Sequence, residues 1–548
     1  MKKILMRVSS LAFLFACVFA LQSTNVHATD YTVTCTDGDI TAELQEVLDK
    51  NRYREGADAV NVTIKPGEYT ISENLRIHSN TTINMEGVTI TRGSALNDDT
   101  TMLRLRREKD WNDAGGYSEY SGGSNITING GTWDGNAKSG CLIRFGHASG
   151  ITLNGCTFTN VKDGHEVELG GCKDVTITGC TFTGFTGSWG ATTNYEALQL
   201  EICNANHFSS YAPYDNTVCK DVTITNCTFT DLQRGVGTHA AVDGKYSTGI
   251  TISGNTFENI LGYAITAINY KDCTIDNNDI TNCASGILFR TMDQSHANFY
   301  NTGTKCKAVL GTNSSITNNR ITIEKVTRGG KTYGNIAYGI QLYGEKLSSA
   351  VSKNNNKIVA GDYRVSGVNV SGNTINLNVT GYAIWLQGAT KNTIENNTIN
   401  SNAKKKNKGG NGDGVRLQKS SKNTISNNTI TNLKTNGTAK NMIGICIMQK
   451  SKDNTVSGNT ITKASKYGIN VVEGSDGTKL TKNTITKAKK YGINVRKSKK
   501  VKIISNTITK AKSYGIMVAE KAVATAKKNK ITGCKEKTHT WAGGVIKK

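Results

Sequence analysis

Two alternating patterns of apolar and polar positions run down this chain. The first reads ITLNGCTF from residue 151, VTITGCTF from 175, VTITNCTF from 222, ITISGNTF from 250 and NTVSGNTI from 454. The second follows it with a Gly or Ala ahead of the alternating run: YAITAINY from 263, YGIQLYGE from 338, YAIWLQGA from 382, YGINVVEG from 467. Apolar side chains at every second position put one face of an extended strand on a core, and Val, Ile and Thr suit that pleated surface. Where no insertion intervenes, the pair recurs every 23 or 24 residues. One such turn cannot bury its own apolar face, so turns must stack, and the pattern predicts an all-β parallel solenoid of about 14 coils.

Aligning the first pattern places Gly131, Cys156, Cys180, Cys227, Asn255, Asn278, Asn319, Asn373, Asn397, Asn428, Asn459, Asn483, Asn506 and Asn529 in one column. With coils about 4.8 Å apart, each Asn amide reaches the copies above and below it and the buried backbone of the turn, which predicts an asparagine ladder. The Cys at its start read as small buried residues, since rung spacing gives no tetrahedral metal geometry. Cys172 and Cys219 open two matching CKDVTIT segments with Cys203 between them, compatible with one disulfide. Residues 39 to 53, DITAELQEVLDKNRY, form the one amphipathic helical pattern, with Ile40, Leu44, Val47 and Leu48 along one side. It predicts a cap over the open end of the solenoid.

MKKILMR, the apolar LAFLFACVFAL and the small-residue VHA read as a signal peptide over residues 1–28, which predicts a secreted protein. Residues 29–93 then hold the cap and first coils, 94–390 coils with loop insertions that build a groove, and 391–548 regular Lys-rich coils. Charge divides the same way: 34 Lys and Arg face 7 Asp and Glu from residue 391 onward, against 32 and 36 before it. The basic end reads either as a solvated face that protects strand edges or as a surface held on anionic cell-wall polymer. No recognition motif accompanies the charge, so nucleic acid is not an expected partner. No later apolar run approaches the roughly 18 residues of a membrane span, and a monomer is expected.

Cap, coils and ladder together resemble the secreted right-handed β-helix proteins of the pectate-lyase and polygalacturonase superfamily, over nearly the whole mature chain. The resemblance implies right-handed coils and polysaccharide processing in a groove along one face. GTWDGN at 131–136 echoes a stretch near the start of those enzymes. The polygalacturonase hallmarks, an Asn-Thr-Asp, a paired Asp-Asp, a Gly-His-Gly and an Arg-Ile-Lys, are absent, so no catalytic residue is carried over.

Candidate chemistry therefore rests on where the repeat is broken. HEVELGG, residues 165 to 171, places Glu166 and Glu168 where YGINVVEG places Gly468 and Asn470. Alternation around Val167 and Leu169 sets Arg144, Glu168, Gln199, Gly237 and Thr266 in one outward column and Gly170, Glu201, His239, Ile268 and Arg290 in the next. Glu166 falls one outward step before Glu168. Glu168 and Glu201 lie on a diagonal of about 8 Å between Cα atoms, compatible with carboxyl groups about 5 to 9.5 Å apart, the glycosidase range. Glu166, Glu168, Glu201 and His239 are thus the catalytic candidates, with His239 stacked on Glu201 and Arg144 beside Glu168. Arg144, Gln199 and Arg290 are candidates to bind substrate, as are Trp189, Tyr195 and Tyr246 on insertions 184–195 and 239–249. Insertions 203–220 and 291–312 add Phe208, Tyr211, Tyr214, Phe299 and Tyr300. His165 reads as structural, and Asp163 as a turn residue or a third acid.

The leading expectation is a polysaccharide-degrading glycoside hydrolase in which two of the three Glu serve as acid and as base or nucleophile, with no cofactor and no metal. A polysaccharide lyase or uronate epimerase is the alternative, with Arg290 or calcium neutralising the uronate and His239 or a Lys removing its C5 proton. A non-catalytic glycan-binding surface protein is the third reading.

Overall fold

A computed structural model describes residues 28–51, 58–96, 101–105, 118–187, 195–209, 211–293, 296, 298–300, 311–334, 337–347, 352–353, 356–357, 361–403, 412–435 and 442–548. Residues 1–27 of the expected signal peptide lie outside them. Three long parallel sheets of 19, 16 and 16 strands form the walls of a β-helix. Equivalent residues stack in register, as in Thr181 on Thr228 and Phe182 on Phe229. Two coils more than the expected 14 are present, contributed by strands Gly67–Ile71 and Val88–Arg92. Met85 stands beneath Gly131, where an added Cβ would lie 2.5 Å from its side chain, so the Gly-Cys-Asn signature does not mark that coil.

Inward Ile, Val and Leu fill the core, and four phenylalanines stack through it: Phe158 on Phe182 at 5.0 Å, Phe182 on Phe229 at 4.6 Å, Phe229 on Phe257 at 4.8 Å. The asparagine ladder runs unbroken from Asn255 to Asn529, each amide nitrogen donating to the next Oδ1 at 2.9 to 3.0 Å. The same nitrogen also donates to a backbone carbonyl, for example Asn278 to Ile252 at 2.9 Å. Buried turn backbone thereby keeps its partners. A second, shorter ladder joins Asn392, Asn423 and Asn454.

Cys172, Cys203 and Cys219 are free thiols, which corrects the disulfide. Cys172 and Cys219 direct their sulfurs at the carbonyls of Phe145 and Leu169, at 3.5 and 3.3 Å. The cap is an α-helix over Thr41–Leu48 continued by a 3-10 turn to Asn51, and it buries Leu44 and Leu48. Asp39, one residue before the N-cap Ile40, accepts from the Thr41 N–H at 3.0 Å. Among the described residues no helix is long and apolar enough to cross a membrane.

Candidate functional site

Consecutive strands Cys141–Gly146, Val167–Gly170, Glu196–Glu201, Arg234–Gly237 and Tyr263–Ile268 carry the candidates. Their register pairs Arg144 with Glu168, Glu168 with Gln199, Gly170 with Glu201, and Gln199 with Gly237. The outward columns thus exist, but this part of the face is roofed. The insertion after Ile202 folds back so that the Phe208 and Tyr211 rings, stacked at 5.5 Å, lie on the backbone of Gly146 and Gly170. A Cβ at Gly170 would meet Phe208 at 2.2 Å, so this close approach requires glycine. The Tyr211 hydroxyl shares its one proton between the Leu105 and Arg144 carbonyl oxygens, at 2.8 and 3.0 Å. Under this roof the expectation of solvent-facing carboxylates fails: Glu168 and Glu201 are buried, and so is Gln199.

Glu166 is not on the outer face. It occupies the column of Leu142, Ala197, Gly235, Ala264, Gly286 and Gly339, which points inward at the corner of the coil: a Cβ on Gly235 would meet Phe257, and one on Gly339 would meet Ile375. Glu166 and the next residue, Val167, both turn inward, so alternation counted back from Val167 slips by one. One Glu166 carboxyl oxygen has no hydrogen-bond partner, and burial alone pushes the group up to about 8. It is a neutral acid in the core.

The same slip brings His165 and Glu196 outward, and they complete a buried network around His239. Glu196 Oε2 meets His239 Nδ1 at 3.2 Å, and Glu196 Oε1 accepts from Arg234 at 3.1 Å. Gln199 Nε2 lies 2.9 Å from His239 Nδ1 and 3.1 Å from Glu201 Oε2, while Glu201 Oε2 is 3.8 Å from His239 Nε2. His165 Nδ1 bonds the Glu196 carbonyl oxygen at 2.6 Å, and its ring stacks 6.0 Å from His239. A Cβ at Gly237 would approach Glu196 Cγ at 3.1 Å, so this glycine keeps room for the carboxylate.

Opposite effects separate the ionisations. Burial opposes charge on Glu196, but His239 and Arg234 win and hold it down to about 2. Burial raises Glu201 to about 7, with His239 only partly countering it. Burial works against the His239 cation too, yet Glu196 and Glu201 raise it to about 9. Glu168, opposed by burial, is held below its ordinary value by Arg144 and His165. Arg144 Nε donates to Glu168 Oε2, and the Cys141 thiol donates to the same oxygen at 3.2 Å.

The second wall is built by chain pairing. Ala241 and Val242 pair with Phe299 and Tyr300, and Asn298 Nδ2 donates to the His239 carbonyl at 3.0 Å. Tyr300 is thereby set with its hydroxyl 2.6 Å from His207 Nε2, and the His207 ring lies 5.0 Å from His239. Burial and the neighbouring His239 lower His207 to about 4, so the imidazole is neutral at pH 7; its Nδ1–H tautomer accepts the tyrosine hydrogen bond and its Nε2–H tautomer donates it.

The family profile described as the right-handed beta helix region matches residues 119–243, 329–485 and 361–535. The chain belongs to the right-handed β-helix family. No curated protein matches the chain in sequence. Solved structures similar to it include PfbA, a surface adhesin of Streptococcus pneumoniae, at 16% identity over 93% of each chain with a TM-score of 0.44. The tailspike protein of E. coli bacteriophage HK620, solved with a pentasaccharide, is 13% identical over 92% of this chain and 75% of that one, with a TM-score of 0.45. The A-module of the Azotobacter vinelandii mannuronan C-5 epimerase AlgE4 is 16% identical over 83% and 96%, with a TM-score of 0.36.

Within this β-helix Arg290 stands apart from the centre, and Tyr195 borders it. Arg290 occupies the expected column two coils beyond His239, paired in register with Ile268 and Tyr343, and its guanidinium stacks on the Tyr343 ring at 4.6 Å. Tyr195 is half-buried and packs edge-on against His165 at 6.0 Å. Tyr246 is buried, so it offers no open face to a sugar. Trp189 lies outside the described residues.

Glu196, Arg234 and His207 were missed by alternation and motif spacing. Arg234 directly opposite Glu196 in the corner column was the available signal. His165, Glu196 and His239 bring one ligand atom each within 4.8 Å of one another. Calcium, which takes six to eight oxygens, does not suit two imidazoles and one carboxylate, and that carboxylate is already shared by Arg234 and His239. A cavity of about 440 Å³ lined by Asp231, Asn259, Glu324 and Arg328 shares no lining residue with the network.

Proposed function

We propose that the protein is a secreted carbohydrate-active enzyme that takes an anionic, uronate-bearing polysaccharide and removes the proton beside the uronate carboxylate, the opening step of a lyase or a C5 epimerase. One observation carries this reading: in every ion pair of the centre the cation is the less buried partner. Side-chain exposure is 17% for Arg144 against 6% for Glu168, 19% for Arg234 against 0% for Glu196, and 16% for His239 against 0% for Glu201. A ligand arriving at this face meets positive tips whose counter-charges lie behind them. Such a face attracts a carboxylate and stabilises the charge that grows on it when its neighbouring proton leaves.

The roles follow from protonation. His239 is an imidazolium at neutral pH and acts as acid and anion ligand, which revises its expected part as base. In its Nδ1–H tautomer neutral His207 accepts from Tyr300, so the phenol can take the substrate proton at its oxygen while passing its own to His207 Nε2. The electron pair left behind is held as an enediolate against His239, Arg234 and Arg144. It then either expels the adjacent glycosidic oxygen, with His239 supplying its proton, or takes a proton from water on the other face, the proton on His207 passing back to the hydroxide. Glu196 and Glu201 orient and charge His239 from behind.

Hydrolysis stands second, favoured by Glu201 near neutrality beside ionised Glu196, the split that an acid and its partner carboxylate need. Both are fully buried, which puts them out of reach of a glycosidic bond. Incubation with polygalacturonate, alginate and hyaluronan in deuterated water tests the reading. Ultraviolet absorbance of an unsaturated uronate, or deuterium incorporated without it, is the expected result. New reducing ends with neither, or binding with no product, would overturn it.

A further inference from the structure

We infer that the regular C-terminal coils carry a second, non-catalytic binding site for a polyanionic glycan, centred on a cavity of about 230 Å³ between Arg416, Lys466, Tyr467 and Arg496. It lies on the same sheet as the His239 centre, seven strands further along, or about 34 Å at one coil rise each. Its choice of probe rests on the acidic-glycan reading of that centre; its existence does not.

Two features of the cavity point to an anion and a third to a sugar. First, the pattern of exposed cation over hidden anion recurs: Arg416 holds Asp413 at 2.6 Å, with 13% of the Arg side chain exposed and none of the Asp. Second, Arg416, Lys466, Arg496 and Lys497 line the cavity with only Glu473 and Glu520 opposing them. Glu520 is shared by Arg496 and Lys497. Among the described residues Lys466 and Lys490 pair with no carboxylate, and burial together with Lys490 and Arg496 lowers the Lys466 ammonium, as cations crowded without a counter-ion must be. Third, Ile443, Cys446 and Met448 give the cavity an apolar floor on which a sugar ring can rest.

The geometry favours a glycan over a nucleic acid. Tyr467, Tyr491, Tyr514 and His539 stack on one another at 5.3, 5.2 and 4.2 Å with interplanar angles of 15°, 19° and 5°. Their faces cover each other, so no base can enter between them, and base stacking is what single-stranded nucleic acid requires. Lys466 and Lys490 each sit 5.0 Å above a tyrosine ring of this ladder, Tyr467 and Tyr491. Cations repeat at the coil rise of about 4.8 Å, a spacing close to that of charges carried one per sugar.

Affinity electrophoresis of the full chain in polygalacturonate reads the site without turnover. Lys466→Gln/Lys490→Gln is expected to weaken retention about tenfold. Lys479→Gln/Lys502→Gln, which removes the same charge from exposed lysines stacked on a different sheet, is expected to change it less than twofold. Dextran is expected to retain neither protein. Equal loss in the two double variants would reduce the site to net charge, no loss in the first would remove it, and displacement of polygalacturonate by a single-stranded oligonucleotide at equal charge would make the ligand a nucleic acid. Retention that depends on Lys466 and Lys490 in a protein that turns over no uronate would refute the proposed reaction alone.

Discussion

The coils around His239 and the coils from 442 to 534 share one backbone and use its outer face in opposite ways. In the corner column, His165, Glu196 and Arg234 stand where the later coils place Tyr467, Tyr491 and Tyr514; in the next column, Glu168, Gln199 and Gly237 stand where they place Asn470, Asn494 and Met517. The later coils repeat tyrosine up the first column and asparagine over two coils of the second before Met517, so like side chains stack on most of this face. The site coils vary it, and the insertion carrying Phe208 and Tyr211 closes over them, so charges that would be solvated on a bare solenoid become a desolvated network. Interior columns decide whether the coil forms; outer columns are then free to vary. Burying charge is unfavourable unless each ion is paired, and here Glu168 and Glu196 each have an arginine.

The largest effect that can break this contrast is on turnover. His239→Gln is expected to lower the rate on a polyuronate by about 10² to 10⁴ while thermal unfolding stays within a few degrees. Undiminished turnover would make the network structural. The rate should also hold between about 4 and about 9, where His207 is neutral and His239 protonated, falling on either side in a pH–rate profile.

Next is the buried acid of the core. The Glu166 carboxyl is raised to about 8, so the folded state keeps a proton that the unfolded chain releases near its ordinary value. Stability therefore falls as pH rises from about 4.5 to about 8, and Glu166→Gln should remove that slope, gaining on the order of 2 to 4 kcal/mol at pH 8 relative to pH 5. Denaturant titrations at the two pH values check this; parallel curves for both proteins would place Glu166 in contact with water.

The regular coils answer to a different change. Asn428→Ala leaves the Asn397 and Asn459 amides and the Ile394 carbonyl short of a partner and should destabilise by about 2 to 3 kcal/mol with turnover per folded molecule unchanged. Smallest is Gly170→Ala, which forces the Phe208 ring off the strand and should cost about 1 to 2 kcal/mol, read as faster proteolysis within 203–220.

Most of the fold was legible because it depends on interior periodicity, and the asparagine column fixed register well enough to pair Arg144 with Glu168 and Gly170 with Glu201. The site was legible only in part. Alternation has no way to register the corner, where two adjacent residues turn inward, so it sets Glu166 outside and passes over Glu196. Nor does sequence spacing show that an insertion will lie flat on Gly146 and Gly170, which is what buries Glu168 and Glu201. His207 and Tyr300 come from two separate insertions and meet only through the pairing of Val242 with Tyr300.

The claim on which the rest depends is that His239 is a cation held over hidden carboxylates. Titration of its imidazole by heteronuclear NMR tests this most directly. A midpoint near 9 is expected, falling toward the ordinary histidine value in Glu196→Gln; a midpoint near 6.5 in the unaltered protein, insensitive to that substitution, would contradict the cation at His239.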